Sequence, residues 1–157
     1  MNFLPSSMPP QNPRANNRLF FAFGLVSFIG FLDAGYLTAK FYLGSAVTCG
    51  FFTGCEQVTS SPYAIILGIP VALLGVVYYA FWLFLFVLAL DTKSDLFTRA
   101  LWLTTLGFIA SLGFIGIQIF VIKAVCLYCL ISAAASTIMF FLWLFMRRGR
   151  TDAHSIP

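Results

Sequence analysis

Four cysteines are the residues here best suited to chemistry: Cys49 and Cys55 in a C-x5-C spacing, and Cys126 and Cys129 in the C-x-x-C of "IKAVCLYCLIS", residues 122–132. Paired thiols hold a metal, make a structural disulfide or exchange electrons. A Cys126–Cys129 bridge closes a very small loop, restricts the unfolded chain little and is a poor staple. C-x-x-C is a good zinc half-site, but C-x5-C is wider than the usual one, so no metal is expected. Redox exchange is the favoured reading, with Cys126, Cys129, Cys49 and Cys55 as the catalytic candidates.

The elements that must position these thiols follow from composition. Of 157 residues 61% are hydrophobic and 9% charged, too little polar surface for a water-soluble globule. Charge-free stretches predict spans at about 68–90, 100–122 and 124–146. Each rises about 34 Å at about 1.5 Å per residue, enough to cross a hydrocarbon core of about 30 Å. A first span, about 19–43, is interrupted by Asp33 and Lys40, and Lys40 lies near enough to its end to snorkel. Its apolar part is longer than a signal-peptide core. The expected fold is an all-α integral membrane bundle of four transmembrane helices over 19–146. Tails 1–18 and 147–157 flank it, and an outer loop, 44–67, caps it.

Basic residues set the orientation. Arg14, Arg18, Lys93, Arg99, Arg147, Arg148 and Arg150 fall on one side of such a bundle, and Lys40 and Lys123 on the other. This bias puts both termini in the cytoplasm. The net charge of +4 then belongs to membrane topology and lipid contact, not to nucleic acid. Both cysteine pairs land on the outer side, where paired thiols are ordinarily oxidised. With span four starting near Ala124, Cys126 falls in its first turn, where free N–H groups, the helix dipole and Lys123 favour a thiolate. Cys129 lies deeper on the same face. One sulfur is expected towards water and the other towards lipid, as a relay between a water-borne dithiol and a lipid-soluble acceptor needs.

The outer loop, "GSAVTCGFFTGCEQVTSSPYAIILGIP" over 44–70, reads as an organised cap. Gly44, Gly50 and Gly54 permit turns, and Ser60, Ser61 and Pro62 can start a short helix. Phe51, Phe52, Tyr63, Ile65 and Ile66 would rest it on the bundle.

The four spans, the loop "CGFFTGCEQVTSSPYAIILGIPVALLGVVYY" and the late "CLYC" together resemble the vitamin K epoxide reductase family in its bacterial form, over about residues 20–146. The specific marks are the C-x5-C, Val58 and Ser61 after Cys55, Gly68 to Pro70, Gly75 and the C-x-x-C. The quinone-coupled oxidases of the DsbB type are similar in logic but carry C-x-x-C in the first outer loop. The resemblance implies a membrane thiol oxidoreductase that reduces a quinone of the ubiquinone, menaquinone or vitamin K type and supports disulfide formation. By that likeness Cys129 meets the quinone and Cys126 is its partner. Cys55 exchanges with Cys126, Cys49 receives electrons from outside, and Ser61 donates a hydrogen bond to a quinone carbonyl. Ala133 and Val71 stand where the animal enzymes carry a tyrosine and an asparagine, which favours plain quinone over epoxide. Many bacterial relatives carry a fused thioredoxin-like domain. The chain stops soon after span four, so the expected partner is a separate thioredoxin-fold or DsbA-like protein on the outer side. The expected location is a bacterial plasma membrane, or the endoplasmic reticulum membrane in a eukaryote.

Other residues carry less certain duties. Asp33, deep in span one, is costly there and marks either function or a hydrogen-bonded packing residue, with Gln118 as a candidate mate. Tyr128 either lines the quinone pocket or belongs to the outer aromatic belt. Gly107, Ala110, Ser111, Gly113 and Gly116 in span three, and Ala133 to Ser136 in span four, mark close helix packing. His154 is solvated tail. A non-enzymatic membrane protein with structural or metal-binding cysteines is the rival reading.

Overall fold

The computed structural model describes residues 13–47, 49, 54–91 and 99–151. Gly50, Phe51, Phe52, Lys93 and His154, which entered the reading above, lie outside them. Helix α1 is Pro13–Tyr42, α2 is Gly54–Thr59, α3 is Val71–Asp91, α4 is Thr104–Gly116 and α5 is Leu127–Thr151. Four stretches are long and apolar enough to cross a membrane: Asn17–Tyr42, Val71–Leu90, Leu101–Ile122 and Leu127–Met146. The fold is a four-helix membrane bundle in which α1 packs on α3 and α5, and α4 on α5.

Span boundaries depart from the sequence reading where backbone conformation overrides hydropathy. Span two starts at Val71, because Ile65–Ile66 and Ile69–Pro70 form a small antiparallel hairpin, β1 and β2, turning at Leu67 and Gly68. Both turn residues have positive φ, 52° and 82°, which glycine adopts freely and leucine does not. The side chain of Leu67 is 97% exposed, so the hairpin tip presents an apolar residue outward. Span three ends in one π-helical turn, Ile117–Ile122, closed by Lys123 in the left-handed region. That reversal stops the helix, so span four starts at Leu127 and residues 123–126 form a non-helical joint.

Two clusters fill the interior. At the end away from the cap, Phe23, Tyr79, Trp82, Ala135 and Met139 interlock, with Phe23 edge-on to Trp82 at 5.2 Å between centroids. Phe108 of α4 stacks on Phe140 of α5 at 4.7 Å, and a Ser111–Ser136 hydroxyl contact joins the same helices. The small residues of spans three and four thus serve packing at Ser111 and Ser136, whereas Gly113 and Gly116 border open space. The second cluster, at the cap end, is built around cysteines: Leu37, Val47, Cys49, Cys55, Val58 and Cys126.

Candidate functional site

The cap delivers its cysteines to the joint between α4 and α5. Helix α2 packs on the π turn, and a side chain on Gly54 would stand 2.6 Å from the Val125 carbonyl oxygen and 2.8 Å from its nitrogen. Those are backbone atoms that cannot easily yield, so the position requires glycine. Gln57 reinforces the contact by donating to the Ile122 carbonyl at 3.4 Å. The Ser60–Ser61–Pro62 signal produces a short 3-10 turn, Pro62–Ala64, with Pro at its start as expected. Ser61 does not cap it: its hydroxyl donates back to the Val58 carbonyl at 2.7 Å, closing α2 instead.

Three of the four sulfurs meet beneath this cap. Cys49 and Cys55 are joined in a disulfide with their Cα atoms 5.9 Å apart, and Cys126 and Cys129 are free thiols. The sulfurs of Cys49, Cys55 and Cys126 lie within 4.8 Å of one another. Two of them are bonded to each other and unavailable as thiolate ligands, so the cluster in this state suits thiol–disulfide exchange. The Leu127 N–H, at the first turn of α5, donates to the Cys55 sulfur at 3.3 Å.

Cys126 sits just before the first helical residue, and its carbonyl accepts the Leu130 N–H at 3.1 Å. The sequence placed it within the first helical turn and facing water; its side chain is in fact fully buried, because α2 covers it. It is nevertheless drawn below the ordinary thiol value. The main cause is the hydrogen bond from the Cys129 thiol, helped by the N–H groups of Cys129 and Tyr128 and opposed by burial. The contribution of the two N–H groups is a helix-terminus effect, exerted under a lid of protein instead of at a wet surface.

Gln118 organises the joint. Its main-chain carbonyl accepts from Lys123 and, at 3.1 Å, from Ala124, and its side-chain Oε1 accepts the Cys126 N–H at 2.9 Å. The pairing of Gln118 with Asp33 considered from sequence is not formed: Gln118 holds Cys126, and the Asp33 Oδ2 is buried without a hydrogen-bond partner. A lone amide eight residues before a cysteine in an apolar span was the available signal.

Below the joint lies a cavity of about 410 Å³, a volume fit for a small-molecule head group. Apolar side chains of α1, α3 and α4 form most of its wall, and Cys129, Ser61, Tyr79, Ser132 and Gln118 also line it. Ser61, expected to donate to a quinone carbonyl, has its proton committed to Val58, so its free lone pairs face an incoming ligand unless the hydroxyl turns. Tyr128 is not part of the lining. Its ring packs on Tyr36 at 5.0 Å, where Lys40 lies over the Tyr36 ring at 5.8 Å, so Tyr128 belongs to an aromatic pair beside the cavity wall. Val71 and Ala133 both line the cavity with apolar groups.

Residues 21–144, which include every cysteine, match the model of the vitamin K epoxide reductase family. No match was found among curated proteins.

Proposed function

Since the chain belongs to the vitamin K epoxide reductase family and is an integral membrane, quinone-linked cysteine oxidoreductase, we propose that it oxidises a thioredoxin-fold dithiol partner through two cysteine pairs in series. The two electrons enter at Cys49–Cys55, opening that disulfide. The Cys55 thiolate, stabilised by the Leu127 N–H, attacks Cys126 of an oxidised Cys126–Cys129 pair, and Cys49 then resolves the Cys55–Cys126 bridge. The inner thiols give two electrons and two hydrogens to a quinone in the cavity, leaving a Cys126–Cys129 disulfide and a hydroquinone. The observation that carries this reading is the position of Cys126, between the outer disulfide and the cavity-lining Cys129.

The apolar Val71 and Ala133 support a plain quinone as substrate in preference to an epoxide. The distribution of Lys and Arg supports cytoplasmic termini, with the cysteines facing the outer side of a bacterial plasma membrane or the lumen of the endoplasmic reticulum. To test the reading, purified protein in lipid nanodiscs is given a reduced thioredoxin-fold protein and a quinone without oxygen. Quinone absorbance should fall by one molecule per dithiol lost. Thiol loss with the quinone unchanged contradicts it.

A further inference from the structure

Reducing a quinone moves two hydrogens, and the two inner thiols are not equally placed to give them. Cys129 lines the cavity, so its sulfur has direct access to the substrate. Cys126 is fully buried and not among the residues lining the cavity. Oxidation of the pair makes one S–S bond and sheds both thiol protons, so the Cys126 proton needs a carrier.

Asp33 is a buried ionisable side chain at the required place. It lies on the inward stripe of α1, between Gly30, against which the Tyr79 ring packs, and Ala34, which meets Gly75. It is 9% exposed, its Oδ2 is fully enclosed with no hydrogen-bond partner, and Leu37, one turn further along α1, packs in the same cluster as Cys126, with which the carboxyl also interacts electrostatically. The other titratable groups that feel it are Cys129 and Tyr128 of α5 and Tyr79 of α3. A carboxyl with an enclosed, unpaired oxygen inside a membrane span is costly, and packing alone gives no reason to keep it. Tyr79, whose ring packs against Gly30 one turn before Asp33, leads onward: its hydroxyl donates to the Ser132 carbonyl at 2.6 Å and lies 3.2 Å from the Ser132 hydroxyl, and both residues line the cavity.

We propose that Asp33 takes up the proton of Cys126 as the inner disulfide forms and returns it, through the hydroxyls of Tyr79 and Ser132, to one oxygen of the reduced quinone. The second oxygen takes the Cys129 proton, so hydrogens and electrons balance without an outside acid. This rests on the quinone-reducing reading above.

The test compares wild type, Asp33→Asn and Asp33→Glu in nanodiscs, with a small dithiol and a short-chain quinone, across pH. Asparagine keeps the shape and cannot carry the proton. Its turnover should fall on the order of 10²-fold, as for loss of an acid–base group, and should rise with pH as hydroxide replaces the missing base. Glutamate should restore most of the rate. An Asp33→Asn rate within twofold of wild type across pH overturns the proposal. So does a loss that is uniform in pH and accompanied by lower thermal stability, which marks packing only. A wild type that reduces no quinone defeats the parent reading as well, and so is distinguishable from failure of the Asp33 proposal alone.

Discussion

The two ends of the bundle are built on opposite principles. Away from the cap, regular helices interlock through Phe23, Trp82, Tyr79 and Met139. At the cap end the backbone departs from regularity within a short distance: a 3-10 turn, a two-residue hairpin turn with positive φ, a π turn and a left-handed Lys123. The core there is made of cysteines and small aliphatics. Regular packing fixes where the helices stand, while irregular backbone brings sulfur atoms from distant segments together and opens a cavity beside them. The irregular end spends stability on geometry, as sites commonly do.

If that division holds, variants at the two ends should fail differently. The largest effect on chemistry belongs to Cys126→Ser. It should abolish quinone reduction while the Cys49–Cys55 pair still exchanges with a dithiol, which thiol mapping by mass spectrometry can follow. At the other end, Trp82→Ala leaves a void that should cost about 3 kcal/mol, lowering the thermal midpoint in detergent. The rate per folded molecule should stay near wild type.

Smaller effects come from the cap. Gly54→Ala forces α2 away from Val125, so transfer from outer to inner pair should slow by about tenfold or more, equivalent to about 1.4 kcal/mol of misplacement. Quinone reduction from a pre-reduced inner pair should be spared, and a single-turnover comparison separates the two steps. Ser61→Ala should give the mildest change. It removes a bond to Val58 worth about 1 kcal/mol and a polar wall of the cavity, so KM for quinone should rise severalfold with kcat little altered.

Much of this was legible in the sequence, for reasons that vary by residue. The spans and the grouping of four cysteines at one membrane face followed from hydropathy and charge. The start of α5 did not, because a π turn and a left-handed lysine leave no mark in an apolar run. Burial of Cys126 was hidden for a different reason: it depends on Gly54 letting α2 approach Val125, a contact between segments distant in sequence. Ser61 and Tyr128 show the limit for polar side chains, since local competition decided both. The Val58 carbonyl claimed the serine proton, and Tyr36 claimed the tyrosine ring.

The series arrangement of the two pairs is tested most directly by Cys129→Ala. Supplied with reduced partner and quinone, this variant should leave the quinone oxidised and, under mild oxidation, accumulate a Cys55–Cys126 bridge that peptide mapping identifies. Quinone reduction at the wild-type rate, or a trapped bridge that excludes both Cys55 and Cys126, would contradict the account.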